Sequence, residues 1–212
     1  MDTFSTILEH KIVAIIRGAD PGDVMKIAGA LYKGGIKVLE VTFNSPGAIR
    51  VVEELSKEMG DSLLIGMGTV LDAKTAKNAI SAGAKFIISP SVDTETIKVT
   101  KESGVVSVPG AFTPTEIVNA FNAGGDIIKL FPASGNVSYM KEVRAPLSQI
   151  PLMPTGGITV DNMQLFYEAG AVAFGIGTAL VNTKEKVTDE YLEQLAWKAK
   201  QFVQKILTFN NK

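Results

Sequence analysis

Short apolar runs recur along the chain, separated by stretches that open on helix-start signals and close on glycine. The runs are Ile12 to Ile16, Ile36 to Val41, Leu63 to Gly66, Phe86 to Ile88, Val105 to Val108, Asp126 to Leu130, Pro151 to Met153 and Val172 to Ile176, eight in all. Runs of this length bounded by turn residues read as buried strands. Gly35, Gly60, Gly83, Gly104, Gly124 and Gly170 read as helix stops, at spacings of 25, 23, 21, 20 and 46 residues, the last close to two units. Asp20-Pro21, Ser45-Pro46 and Thr113-Pro114 each pair an N-cap oxygen with proline at the first helical position. Thr113 to Glu116 is also a capping box, and Asp72, Asp93 and Thr159 read as further caps. Thr188 leads into an amphipathic closing helix carrying Leu192, Leu195, Ala196, Ala199, Phe202, Val203 and Ile206. Eight strand–helix units in roughly 200 residues, after a short N-terminal helix, predict an α/β fold of the (β/α)8 TIM barrel type. An open doubly wound sheet usually has only five to seven strands, roughly. The expected domain is residues 1–212 as a single barrel.

Composition narrows the partners. With 46% hydrophobic and 20% charged residues, a net charge of −1 and no run of like charges, the chain shows no electrostatic pull toward nucleic acid or an anionic membrane. A small metabolite is the expected partner. Cysteine is absent, which excludes disulfides, Cys-ligated metal and thiol chemistry. Met1 to Arg17 carries Asp2, Glu9, His10 and Lys11 before a run too brief for a signal or membrane segment, so a cytoplasmic location is expected.

In such barrels chemistry gathers at the C-terminal ends of the strands. Period-two counting puts Val13, Ile15 and Arg17 on one face, Val38, Glu40 and Thr42 on another, then Met67 with Thr69, Ile127 with Lys129, and Met153 with Thr155. Lys129 is the most informative of these, a lone amine in an apolar strand. Burial lowers a lysine pKa from about 10.4 and so supplies the free amine that attacks a carbonyl carbon. Each residue alone has a packing explanation: a lysine that snorkels to water, an Arg17–Glu40 rim salt bridge, ordinary strand threonines. Their appearance at the same end of successive strands is harder to explain by packing, because burying Arg, Glu and Lys together costs stability unless they pair or act.

Thr155-Gly156-Gly157-Ile158 and Gly175-Ile176-Gly177-Thr178 follow the seventh and eighth strands, where these barrels commonly bind phosphate through backbone N–H groups and a short helix N-terminus. Gly66-Met67-Gly68-Thr69 is expected to let Thr69 and its backbone approach a ligand. The only histidine, His10, precedes the first strand, and no Asp/Glu/His cluster has ligand spacing, so no metal and no cofactor is expected. A carbon–carbon lyase stabilises its carbanion with a metal or an imine, which leaves the lysine.

Leu39-Glu40-Val41-Thr42, Gly68-Thr69-Val70, Ile88-Ser89-Pro90, Val108-Pro109-Gly110, Ile128-Lys129-Leu130-Phe131-Pro132 and Pro154-Thr155-Gly156-Gly157-Ile158 together resemble the 2-keto-3-deoxy-6-phosphogluconate aldolase family over nearly the whole chain. The resemblance implies a class I aldolase barrel, typically a homotrimer, that cleaves its sugar acid phosphate to pyruvate and glyceraldehyde 3-phosphate; some members cleave 4-hydroxy-2-oxoglutarate. It implies Lys129 as the imine-forming residue and Glu40 as general acid and base. Thr69 and Arg17 would hold the carboxylate, and Gly156, Gly157, Gly177 and Thr178 the phosphate, with Thr42, Pro90, Phe131, Pro132 and Thr155 in support. Some members carry an arginine shortly after the Glu-Val-Thr segment, whereas this chain has none until Arg50. The Asn44-Ser45-Pro46 and Ile16-Arg17-Gly18 pattern looks more like the sister aldolase for 2-keto-3-deoxy-6-phosphogalactonate, which differs at C4. A phosphosugar isomerase or epimerase using Glu40 as base, and a non-catalytic phosphometabolite-binding barrel, remain as rival classes on the same architecture.

Overall fold

The computed structural model describes residues 2–209; residue 1 and residues 210–212 of the expected 1–212 domain lie outside the described residues. A short helix α1 (Thr3–His10) precedes β1 (Ile12–Ile16), α2 (Pro21–Lys33), β2 (Val38–Thr42), α3 (Ala48–Met59), β3 (Leu64–Gly68), α4 (Ala73–Ser81) and β4 (Phe86–Ile88). Then come α5 (Thr94–Glu102), β5 (Val106–Val108), β6 (Gly110–Ala111), α6 (Pro114–Asn122), β7 (Ile128–Leu130), α7 (Val137–Arg144), β8 (Leu152–Pro154), α8 (Met163–Glu168), β9 (Phe174–Ile176) and α9 (Asp189–Leu207). All strand pairings are parallel, in a six-stranded sheet ordered β5-β4-β3-β2-β1-β9 and a three-stranded sheet ordered β6-β7-β8. The fold is therefore α/β with a curled parallel sheet.

The fifth apolar run ends at Pro109, which has no N–H to give to a ladder and separates β5 from β6. β5 pairs with β4 on one side, and β6 pairs with β7 on the other. The Pro109 carbonyl still accepts the Lys129 N–H at 2.9 Å.

The two faces of each strand feed separate apolar clusters, as period-two alternation requires. Ile12, Ala14, Ile16, Leu39, Val41, Ile128 and Leu130 join the helices in the larger cluster. Val13, Val38, Phe86, Ile88, Ile127 and Met153 form the smaller one, and Ile7 packs into it with Phe4 and Leu8 alongside. The short N-terminal helix thus covers the end of the inner cluster nearest the strand starts. Polar groups take over on the same face one step further along: Glu40 after Val38, Lys129 after Ile127, Thr155 after Met153.

One expected facing is corrected. Met67 belongs to the outer cluster, so the inner positions of β3 are Gly66 and Gly68 rather than Met67 and Thr69. A side chain on Gly66 would overlap the Phe86 ring, and one on Gly68 would overlap the Glu40 carboxylate. These glycines accommodate neighbouring side chains inside the fold. Thr69 leaves the alternation with φ 58°, a left-handed conformation that is uncommon for a threonine.

Most helix signals hold. Asp20, Asp72, Asp93 and Thr188 accept N-cap hydrogen bonds, and Thr113 with Glu116 forms the capping box. Gly35, Gly83, Gly104, Gly124 and Gly170 take positive φ after their helices, while Gly60 stays right-handed at −60°. Ser45 caps nothing: α3 starts after Gly47, and the Ser45 hydroxyl is drawn to the ends of β1 and β2. Thr159 bonds reciprocally with Asn162, which precedes α8. Gly34 lets α9 approach α2, since a side chain there would overlap Ala199. Among the described residues no helix is long and apolar enough to cross a membrane.

Candidate active site

Lys129 and Glu40 are the charged side chains most fully enclosed, at 2% and 0% exposure. Strand geometry puts them there: each follows an inner apolar residue at an interval of two on β7 and β2. Neither carboxylate oxygen of Glu40 is hydrogen-bonded by the chain. Leaving such a group unsatisfied costs roughly 1–3 kcal/mol, or more when charged, which folding alone gives no reason to retain. Burial raises the Glu40 pKa above the ordinary 4.5, opposed by the positive charges of Lys129 and Arg17. Burial likewise lowers the Lys129 pKa below 10.5; Glu40 opposes that shift and Arg17 reinforces it. The arrangement therefore favours a neutral amine and a protonatable carboxyl in one electrostatic unit.

A cavity of about 880 Å³ lies beside this pair. Of the expected site residues, Arg17, Phe131, Thr155, Gly156, Gly157, Gly177 and Thr178 line it. Lys129, Glu40, Thr42, Thr69, Pro90 and Pro132 do not. The Lys129 Nζ sits 4.7 Å from the centroid of the Phe131 ring, and that ring lines the cavity.

Arg17 departs from expectation in being exposed at the rim rather than buried with Glu40 and Lys129, and it makes no salt bridge with Glu40 among the described residues. Its backbone is held from both sides. The Thr183 hydroxyl donates to the Arg17 carbonyl at 2.6 Å, and the Gly18 N–H donates to the Ser45 hydroxyl at 2.8 Å. Ser45 in turn bonds the buried Thr42 hydroxyl at 2.9 Å, so Thr42 serves to join the ends of β1 and β2. Arg50 is engaged elsewhere, on the α3 surface, with Glu54 at 2.7 Å. Thr69 and Pro90 are half-buried on the loops after β3 and β4, and exposed Pro132 follows Phe131 through a cis peptide bond.

Gly156 and Gly157 take φ of 94° and 72°, the left-handed region glycine enters without steric cost. The segment after β9 is a hydrogen-bonded turn over residues 178–180, with Leu180 and Val181 N–H groups on the Gly177 carbonyl, and not the expected short helix. A side chain at Gly177 would meet nothing within 4 Å. Lys184 and Thr183, which the sequence reading did not single out, also line the cavity. They stand in a polar stretch without periodicity, where no local pattern marks a facing. No group of three or more potential metal-ligating side chains occurs among the described residues.

Gly68→Ala is expected to lower stability by about 1–3 kcal/mol and to displace Glu40, because the new methyl overlaps its carboxylate. Gly177→Ala, with open space and an ordinary φ, is expected to stay within about 0.5 kcal/mol of the parent. Urea titration of both variants checks the contrast; equal losses would remove the assignment of Gly68 to the Glu40 face.

A family profile described as KDPG and KHG aldolase matches residues 4–195. The chain is 31% identical over 194 residues to the 2-dehydro-3-deoxy-6-phosphogalactonate aldolase of Escherichia coli, covering 91% of this chain and 92% of that protein. It is 35% identical over 158 residues to the 2-dehydro-3-deoxy-phosphogluconate aldolase of Haemophilus influenzae, 74% of each. A crystal structure of KDPG aldolase from Legionella pneumophila, with pyruvate captured at low pH as a covalent carbinolamine intermediate, superposes with a TM-score of 0.78 at 26% identity, over 99% of this chain and 98% of that one.

Proposed function

We propose, because this chain belongs to the KDPG and KHG aldolase family, that it is a class I aldolase cleaving 2-keto-3-deoxy-6-phosphogluconate to pyruvate and glyceraldehyde 3-phosphate. The observation that carries this reading is Lys129, an enclosed amine whose free-base form burial favours, interacting with an unbonded carboxyl and set against Phe131 of an anion-suited cavity. Lys129 attacks the C2 ketone and water leaves to form an imine. Glu40, acting through water, takes the C4 hydroxyl proton; the C3–C4 bond breaks, the aldehyde departs and the bonding electrons pass into the imine to give an enamine. A proton returned to C3 and hydrolysis of the imine then release pyruvate and restore the amine. Arg17 and Thr69 hold the carboxylate in this reading, and Gly156, Gly157, Gly177 and Thr178 the phosphate.

The galactonate-series substrate is a second reading, favoured by the rim at the end of β2. Ser45 builds that rim with Thr42 and Gly18, and Arg50 is turned to Glu54. We read the two sheets as parts of one eight-stranded barrel, with β5 and β6 continuous through Pro109 and parallel bridges Leu152–Ala171 and Thr155–Gly175 joining β8 to the β9 region. The homotrimer implied by the resemblance would have exposed Phe43 and Leu71, on adjacent loops after β2 and β3, to cover.

Pyruvate release from both 6-phosphorylated sugar acids and from 4-hydroxy-2-oxoglutarate tests the proposal. Turnover of a phosphorylated substrate is expected, and the better of the two assigns C4. No pyruvate from any of the three would overturn the aldolase reading.

A further inference from the structure

The cavity wall carries two cations, Arg17 and Lys184, and no carboxylate. They come from opposite ends of the chain. Thr183 joins them, because its hydroxyl bond to the Arg17 carbonyl ties the segment after β9 to the end of β1 across 166 residues.

The two charges are not equivalent. Arg17 acts on both enclosed groups, lowering the pKa of Glu40 and that of Lys129, so its charge belongs to the reacting end. Lys184 lines the same cavity together with Gly156, Gly157 and Gly177.

The 182–185 turn sorts its charges to opposite sides. Asn182 Oδ1 accepts the Lys184 N–H at 3.3 Å, while Asn182 Nδ2 donates to the Glu185 carboxylate at 2.5 Å. Glu185 faces a separate hollow with Tyr191 and Lys198, and its negative charge contributes to raising the Tyr191 pKa. The carboxylate that could neutralise Lys184 is thus held away from it. Lys184 makes no ion pair among the described residues. A free cation facing a cavity without acids, beside Gly156, Gly157 and Gly177, is suited to a group of charge near −2, which backbone N–H groups alone bind without neutralising.

We propose that Lys184 is a specificity-determining residue that selects phosphorylated over unphosphorylated substrates, held in place by the Asn182 turn and the Thr183–Arg17 bond. The proposal rests on the aldolase reading for its substrate and on the cavity for its charge. It goes beyond a backbone phosphate cradle by assigning the charge discrimination to one side chain.

The test compares kcat/KM for 2-keto-3-deoxy-6-phosphogluconate with that for its unphosphorylated counterpart in the full-length protein, Lys184→Met, Lys184→Arg and Lys186→Met. Lys186 is exposed, does not line the cavity and controls for net charge. In Lys184→Met the preference for the phosphorylated substrate is expected to fall about tenfold, through KM rather than kcat, and added salt to weaken binding less than in the parent. Lys184→Arg is expected to keep most of the preference and Lys186→Met all of it. An unchanged preference in Lys184→Met, or an equal loss in Lys186→Met, would overturn the assignment while leaving the aldolase reading intact. Should the parent release no pyruvate, the aldolase reading fails, and inorganic phosphate followed by ³¹P NMR decides the rest. Weaker binding to Lys184→Met than to Lys186→Met supports the cation's role, and equal binding removes it.

Discussion

Lys129→Arg is expected to release pyruvate at least about 10⁵-fold more slowly than the parent and to yield no adduct when incubated with pyruvate and borohydride. An amine held beside a bound ketone gains roughly 7–11 kcal/mol from proximity, and at about 1.4 kcal/mol per decade the lower value already corresponds to five decades. Arginine keeps the charge and most of the bulk but stays protonated, so it cannot attack the ketone. The parent is expected to gain the mass of reduced pyruvate on Lys129, located by peptide mass spectrometry. An isomerase or epimerase that uses Glu40 as base would keep substantial turnover in Lys129→Arg, and a non-catalytic barrel would show no turnover to lose. The acid limb of the pH profile follows from the same residue. The free amine is lost as pH falls through the native Lys129 pKa, which burial sets below the ordinary 10.5, so activity extends to lower pH than an exposed lysine would allow. An adduct on any lysine other than Lys129 would refute the assignment.

Glu40→Gln is the second large effect, with a loss of about 10²–10⁴-fold in turnover and retention of the borohydride adduct. Imine formation needs the amine, whereas proton movement at C3 and C4 needs the carboxyl. Solvent deuterium exchange into the pyruvate methyl group is therefore expected to slow along with cleavage. Rapid exchange in Glu40→Gln would assign the proton shuttle to another group.

Stability separates this role from a structural one. The native state binds the Glu40 proton more tightly than the unfolded chain does, because burial raises the native pKa above 4.5. That contribution to stability is full at low pH and is lost as pH rises through the raised pKa. The amide has no charge to desolvate, so Glu40→Gln is expected to lack this decline and to match or exceed the parent near neutral pH. Guanidinium titrations across that window measure the difference.

Much of this site was legible in the chain because its signals are local. Lys129 and Glu40 each sit two residues beyond an apolar inner neighbour, and strand alternation carries that relation into three dimensions unchanged. The same alternation misassigned β3, where Gly66 and Gly68 have no side chain to mark a facing and Met67 drew the apolar reading. Ser45 shows a related limit: Ser-Pro is a sound helix-start signal, yet the hydroxyl found better partners across 27 residues at Gly18 and next to the buried Thr42. Arg17 was placed at the correct strand end, but its exposure depends on the loop that follows.

By itself, the sequence determined the strand–helix order, most caps and stops, and the inward placing of the amine and carboxyl. Those features depend on residues within one turn or one pleat of each other. Only the tertiary structure decided that Gly68 leaves room for Glu40, that the Phe131 ring meets both Lys129 and the cavity, and that Thr183 brings Lys184 to the same wall as Arg17. Such relations join distant segments through packing and register, and no local periodicity encodes which side chains will meet.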